Sequence, residues 1–237
     1  MKISNNTFEP LGLSGIHHVF QPLWTLENWS LSGYECFLRS NSTLNPEEIF
    51  SEARKNGCLF QLDIYSLKKA IEEYVKFSQV PLFINIFPST ILHEEFPLII
   101  NDLLNTHPKA VGRFILELNE SIEEEQIWLI PALKEKISWL QDQGISIAID
   151  DVGKGAASLQ KMVEFQPSFV KLDRYFSQGL SESRRKQKIV SLLSAYCSEE
   201  NIALVLEGIE TPSDLACAKA LKISLGQGYI IGKPTRI

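Results

Sequence analysis

Asp150 and Asp151 close the run ISIAIDD (145–151), and the residues after them, VGKG, do not continue a strand. Aspartate is disfavoured inside strands, so the pair is expected where a strand stops and a loop begins. Two adjacent carboxylates repel each other, and a divalent cation between them removes that cost. The pattern repeats along the chain. Asn85 lies inside FINIF, Glu117 closes FILE, Lys171 and Asp173 lie in FVKLD, and Glu207 closes LVLE. Gathered at one place, these oxygens suit Mg²⁺ or Mn²⁺, and the lack of nearby His or Cys argues against zinc. Two such cations can clamp the attacking and leaving oxygens of an in-line phosphoryl transfer. A lysine beside them can position and deprotonate water or stabilise developing negative charge. Strand-end acids also cap helices or pair with lysines, so residue types alone leave a structural role open.

The elements that would position these groups are short. VPLFINI (80–86), GRFILEL (112–118), ISIAID (145–150), FVKLD (169–173) and IALVLE (202–207) read as strands. Several are continuous apolar runs, as in strands covered on both faces. Helix signals lie between them. Asn45 is a cap, Pro46 a first-turn residue and Glu48 the third residue past the cap, with Gly57 as a stop. Ile130, Leu133, Ile137 and Leu140 keep a 3-4-3 spacing that Gly144 closes, and Thr211-Pro212 opens another helix. Strand and helix alternating every 20 to 35 residues, roughly, predict βαβ units and a parallel sheet. About eight such units in one domain predict a (β/α)8-type barrel, with a doubly wound open sheet as the alternative. In a barrel the C-terminal strand ends share one rim, where catalytic groups collect.

Composition narrows the function classes. The 237 residues are 44% hydrophobic and 22% charged, ordinary for a globular chain. A net charge of −6 argues against a DNA or RNA polymer as partner. A small phosphorylated ligand stays compatible, because a metal can supply local positive charge. Cys36, Cys58, Cys197 and Cys217 show no paired spacing and read as reduced thiols. No apolar stretch reaches the roughly 20 residues needed to span a bilayer. MKISNNTFEPLG lacks the apolar centre of a signal peptide. A cytoplasmic protein without membrane insertion is expected, with residues 1–14 as a loose arm and 15–237 as one domain. GKGAAS (153–158) lacks phosphate-loop spacing, and the basic run 184–188 reads as a solvated helix face. His17 and His18 read as structural, and Trp128 and Trp139 as helix packing.

The string GYECFLR (33–39) resembles the signature of EAL domains, the cyclic-di-GMP phosphodiesterases, whose usual form is Glu-Ala-Leu-x-Arg. Here it reads Glu35-Cys36-Phe37-Leu38-Arg39. FQP (20–22), LD (62–63), INIFPS (84–89), LELNES (116–121), DDVGKGAASL (150–159), VKLDR (170–174), LEGIET (206–211) and GQGYIIGKP (226–234) match in the family's order. The resemblance implies a modified TIM-type (β/α)8 barrel with one antiparallel strand. It implies hydrolysis of cyclic di-GMP to linear pGpG with two Mg²⁺ or Mn²⁺ ions, and a homodimer. By position, Glu35, Asn85, Glu117 and Asp150 resemble the ligands of the first metal. Asp150, Asp151 and Glu207 resemble those of the second, with Asp150 bridging. Lys171 matches the residue that holds and activates the attacking water, and Gln227 a residue near the water and the scissile phosphate. Gln21 and Arg39 match substrate contacts, Arg39 directed at phosphate through its guanidinium fork. Glu35, Phe37, Asp63, Asn85, Asp173, Gln227 and Pro234 complete the implied substrate-binding set. Glu120 matches a residue that steadies the loop after the Asp pair, and Glu210 one with a supporting role.

The chain departs from the family where DDFGTGYSSL is usual. Val152, Lys154 and Ala156-Ala157 replace Phe, Thr and Tyr-Ser in a loop that couples metal binding to dimerisation in the family. Cys36-Phe37 replaces Ala-Leu in the signature. Every matched metal ligand and the lysine are present, which favours an active enzyme. The altered loop keeps two alternatives open. One is a catalytically inactive cyclic-di-GMP receptor acting through a signalling protein partner. The other is an interaction module that has lost the ligand.

Overall fold

Eight strands close into a single barrel in chain order. The computed structural model describes residues 15–108, 111–119, 122–154 and 158–237, so the arm expected over residues 1–14 lies outside the described residues. The strands are β1 (His17–Thr25), β2 (Leu31–Arg39), β3 (Leu82–Ile86), β4 (Phe114–Leu118), β5 (Ser146–Val152), β6 (Phe169–Leu172), β7 (Ala203–Leu206) and β8 (Leu225–Gly226). β1 runs antiparallel to both of its neighbours, β2 and β8, while every other adjacent pair is parallel. The chain therefore has the expected TIM-type barrel with one reversed strand, and closure excludes the open sheet. No described helix is long and apolar enough to cross a membrane.

Apolar runs locate β3 to β7 but not β1, β2 or β8. β1 carries Pro22 and alternates buried with part-buried residues, and β8 is only two residues long. The helix signals fare well. Asn45 and Glu48 form a reciprocal capping box at the start of α1 (Pro46–Lys55), and Gly57 follows its end at φ +66°. α2 (Leu59–Tyr74), α3 (Pro88–Leu92) and α4 (Phe96–Thr106) follow, then α5 (Pro131–Asp142). Leu133, Ile137 and Leu140 are the buried stripe of α5, whereas Ile130 stands before it and is partly exposed. After α6 (Ser158–Phe165) and α7 (Arg174–Ser177), α8 (Arg184–Glu199) carries the basic run, with Arg184, Arg185 and Lys188 exposed. Thr211 caps α9 (Pro212–Ala220) by accepting from the Asp214 amide.

Two apolar layers result from the period-two alternation of strand side chains. Outward residues such as Ile84, Leu116, Ile147, Val170 and Leu204 join the core shared with the helices. Inward, Leu23, Phe83, Ile115, Ala148, Val205 and Leu225 form a separate plug, with Phe169 and Ala203 packed on it. Phe83 and Phe169 meet edge to face at 5.0 Å. Gly33 makes room for this, because a Cβ there would press on the Phe83 ring and the Pro81 carbonyl. Burying side chains of this size stabilises the fold by about 1.5–3 kcal/mol each. The plug is the rigid floor on which the polar residues stand.

After β8 the chain returns across β7's end. Gln227 N donates to Leu206 O at 3.0 Å, and Ile209 N donates to Gln227 O at 3.0 Å. Gly228 allows that close approach, since a Cβ there would run into the backbone N, C and O of Ile209. Gly228→Ala is expected to cost about 1–3 kcal/mol through overpacking against backbone that cannot yield. A urea melt measures this; an unchanged midpoint would contradict the close-approach argument.

Candidate active site

Two positions from each interior apolar residue stands a polar one. The pairs are Leu23 and Gln21 on reversed β1, Gly33 and Glu35 on β2, Phe83 and Asn85 on β3, and Ile115 and Glu117 on β4. Ala148 and Asp150 follow on β5, Phe169 and Lys171 on β6, Val205 and Glu207 at the end of β7, and Leu225 and Gln227 at the end of β8. The shared spacing puts these side chains one layer above the plug, at the end where the parallel strands finish.

Lys171 is the hub of this layer and is fully buried. Its Nζ lies 3.0 Å from Glu35 Oε2, 2.6 Å from Glu207 Oε1 and 3.4 Å from Asp150 Oδ1, and it also donates to Glu117 Oε1. Gln227 Nε2 donates to Glu35 Oε2 at 2.8 Å, and Asn85 Nδ2 to Glu35 Oε1 at 3.3 Å. Four carboxylates thus face one ammonium, an excess of three negative charges if all are ionised. Burial first, and then neighbouring carboxylates, push the Glu117 and Glu207 carboxyls well above their ordinary range, against the pull of Lys171. Burial alone would lower Lys171, but Asp150, Glu117, Glu207 and Glu35 outweigh it and hold its proton well above the usual lysine range.

The donors fit a hard divalent cation. Glu35, Glu117 and Glu207 each offer an oxygen within 4.8 Å of the others, and so do Asp150, Asp151 and Glu207. Glu117 Oε2 is buried and accepts no hydrogen bond, the state expected of an oxygen open to a cation, while Asp150 Oδ1 has only the 3.4 Å ion pair with Lys171. All the donors are oxygens. Glu207 belongs to both of these groups, and Asp150 Oδ1 also lies 3.4 Å from the Lys171 ammonium that the first group surrounds.

The Asp pair does not sit beyond the strand. β5 runs on to Val152, its register against β6 shifts between Ile149 and Val152, and Asp151 adopts φ +54°. A regular strand would aim adjacent side chains at opposite faces; the irregular end lets both carboxylates approach Glu207. Burial first and Asp150 second raise the Asp151 carboxyl, while Lys154 pulls it back from 3.0 Å.

Beside this layer lies a groove of about 1140 Å³, lined by Phe37, Arg39, Arg54, Asn85, Phe87 and Asn119 among others. Arg39 sits over the Phe37 ring at 5.7 Å and donates to Leu38 O. Other expected residues are engaged elsewhere. Gln21 donates to Gly232 O at 2.8 Å, in the C-terminal stretch that contains Pro234. Asp63 borders the groove but is buried, accepting from Phe87 N at 2.9 Å, and burial pushes its carboxyl up to about 7. Asp173 caps α7 by accepting from Tyr175 N at 2.8 Å. Glu210 is exposed, and Glu120 lies outside the described residues.

Two hydrogen-bonded networks lie near the groove, and the first has no counterpart in the sequence reading. Glu124 accepts from Ser89 N at 2.7 Å and Ser89 Oγ at 2.8 Å and pairs with Arg54 at 2.7 Å, tying α1 to the turn after Asn85. Within the run Glu123-Glu124-Glu125 nothing distinguishes this residue from surface acids. His18 joins Ser66 Oγ at 3.0 Å to Glu73 Oε2 at 3.2 Å, a structural role as expected.

Residues 9–234 match the EAL domain family. The chain belongs to that family. It is 26% identical over 231 residues to the probable cyclic di-GMP phosphodiesterase PdeN of Escherichia coli, covering 91% of this chain and 42% of PdeN. It is also 26% identical over 222 residues to the blue light- and temperature-regulated antirepressor BluF of Escherichia coli, covering 92% of this chain and 54% of BluF. This EAL domain thus spans about half the length of these relatives, and as little as 26% of others. Among solved structures, Klebsiella pneumoniae BlrP1 in its calcium and cyclic-di-GMP complex superposes with TM-score 0.83 at 24% identity, over 93% of this chain and 56% of BlrP1.

The raised carboxyls give this EAL domain a defined pH response. Glu117 and Glu207 keep protons in the folded state that they lose when unfolded, so their contribution favours folding at acid pH. That contribution is lost as pH rises from the ordinary carboxylate range near 4.5 through the raised values. Glu117→Gln is therefore expected to raise the melting temperature at pH 8 without added cation and to leave it unchanged at pH 5. Added Mn²⁺ should stabilise the wild type at pH 8 more than the variant. Equal melts of the two proteins across this range would refute the charge-excess account.

Proposed function

We propose that this EAL domain hydrolyses one phosphodiester of cyclic di-GMP, giving linear pGpG, in second-messenger signalling. The observation that carries the reading is the convergence of Glu35, Glu117, Asp150 and Glu207 on Lys171 at one barrel rim, with the buried Glu117 Oε2 accepting no hydrogen bond. Glu35, Asn85, Glu117 and Asp150 would hold one Mg²⁺ or Mn²⁺, and Asp150, Asp151 and Glu207 the other. Such cations, when bound, supply Lewis-acid charge for in-line phosphoryl transfer.

The chain's own groups do the rest. Lys171 holds a proton at Nζ and would accept one from the attacking water only after giving its own up. Its proton is kept by the same carboxylates that would hold the cations, so cation binding weakens the field that keeps it charged. Gln227, fixed on Glu35, orients the groups around Lys171. Arg39 offers its guanidinium fork to phosphate, and Phe37 an aromatic face to a base. Pockets for small ligands run to about 300–1,000 Å³, so a groove of about 1140 Å³ has room for a dinucleotide. PdeN's name and the ligand of BlrP1 support the same substrate. A cytoplasmic homodimer fits this role.

A catalytically inactive cyclic-di-GMP receptor is the second reading. It is favoured by Lys154, a cation already seated on Asp151, and by the antirepressor role in BluF's name. Incubation with cyclic di-GMP and Mg²⁺ or Mn²⁺, followed by chromatography, separates the two. Linear product is expected, lost in Asp150→Asn and reduced about 10²–10⁴-fold in Lys171→Ala, the usual worth of a general base. Binding without turnover under either metal would transfer the case to the receptor.

A further inference from the structure

We propose that Lys154 tunes the cation position formed by Asp150, Asp151 and Glu207, because its ammonium must leave Asp151 before that position fills. The inference rests on the metal reading above. Lys154 Nζ sits 3.0 Å from Asp151 Oδ2, and Lys154 N donates to Asp151 O at 3.0 Å, closing a turn that folds the side chain back over the carboxylate. Gly153, at φ +101°, sits against the Phe176 ring where no Cβ would fit, which pins the turn. The partner is therefore built into the backbone path.

The two lysines of the site differ in what they can do. Lys171 is fully buried, with its ammonium enclosed by four carboxylates. The Lys154 side chain is 67% exposed, so its ammonium can swing into water when a stronger cation arrives. Asp151 is then released to join Asp150 and Glu207, whose oxygens lie within 4.8 Å of it and of each other. Lys171 faces carboxylates of both groups, whereas Lys154 sits on Asp151 alone and so competes only at this position. Binding here is consequently the more sensitive to salt, because this competing pair is exposed. An exposed ion pair of this kind holds its partner only modestly, which sets the effect at roughly two- to fivefold in affinity.

Mn²⁺ binding by calorimetry, on the full chain at low salt, tests this with Lys154→Gln and Lys154→Arg. Lys154→Gln should tighten one of two Mn²⁺ sites roughly two- to fivefold and leave the other unchanged. Lys154→Arg, which keeps the charge, should match the wild type, and Asp151→Asn should lose the site that Lys154→Gln tightens. A Lys154→Gln isotherm that superimposes on the wild type, or shows weaker binding, overturns the inference and leaves the metal reading intact. A wild type that binds fewer than two Mn²⁺ overturns both.

Discussion

The site is organised by an unbalanced charge. One buried ammonium, Lys171, is surrounded by Glu35, Glu117, Asp150 and Glu207, and it cannot neutralise all of them. Isolated buried charges are expensive, and a protein meets such an excess by keeping protons or by binding cations. Without cations, the raised carboxyls of Glu117 and Glu207 are the first response. Glu117 Oε2, buried and accepting no hydrogen bond, points to the second. Both responses draw on the same carboxylates, so protonation, cation binding and the charge on Lys171 are linked.

The barrel sustains this imbalance because its interior floor is apolar and tightly filled. Leu23, Phe83, Ile115, Ala148, Val205 and Leu225 hold the strands at a fixed register, and the polar layer follows two residues on. A shift of one residue in any strand would turn its polar group out of the barrel. Reversing β1 preserves the arrangement, since Gln21 then precedes Leu23 and still lies opposite Glu35. The register shifts in β1, between Leu23 and Trp24, and again at the end of β5. There the irregular register brings two adjacent aspartates to one place, and Lys154 is carried back over the second.

Much of this was legible in the chain itself. The continuous apolar runs of β3 to β7 mark strands buried on both faces, and Asn85, Glu117, Asp150, Lys171 and Glu207 stand out as polar residues against them. The capping box at Asn45 and the cap at Thr211 are local chemistry and read directly. Other features depend on tertiary position. β8 is too short to carry a period, and β1 is interrupted by Pro22. Glu124 reads as one of three surface acids, yet it is buried because Arg54 and Ser89 converge on it. The register shift at the end of β5 is likewise announced by no residue type.

In the proposed function, cations share the carboxylates around Lys171. Anomalous scattering from a crystal grown with Mn²⁺ and cyclic di-GMP measures this most directly. Two peaks are predicted, one among Glu35, Asn85, Glu117 and Asp150 and one among Asp150, Asp151 and Glu207, with a phosphate of the ligand against them. Cyclic di-GMP bound in the groove with no peak at the rim, and Lys171 still paired with all four carboxylates, would contradict it.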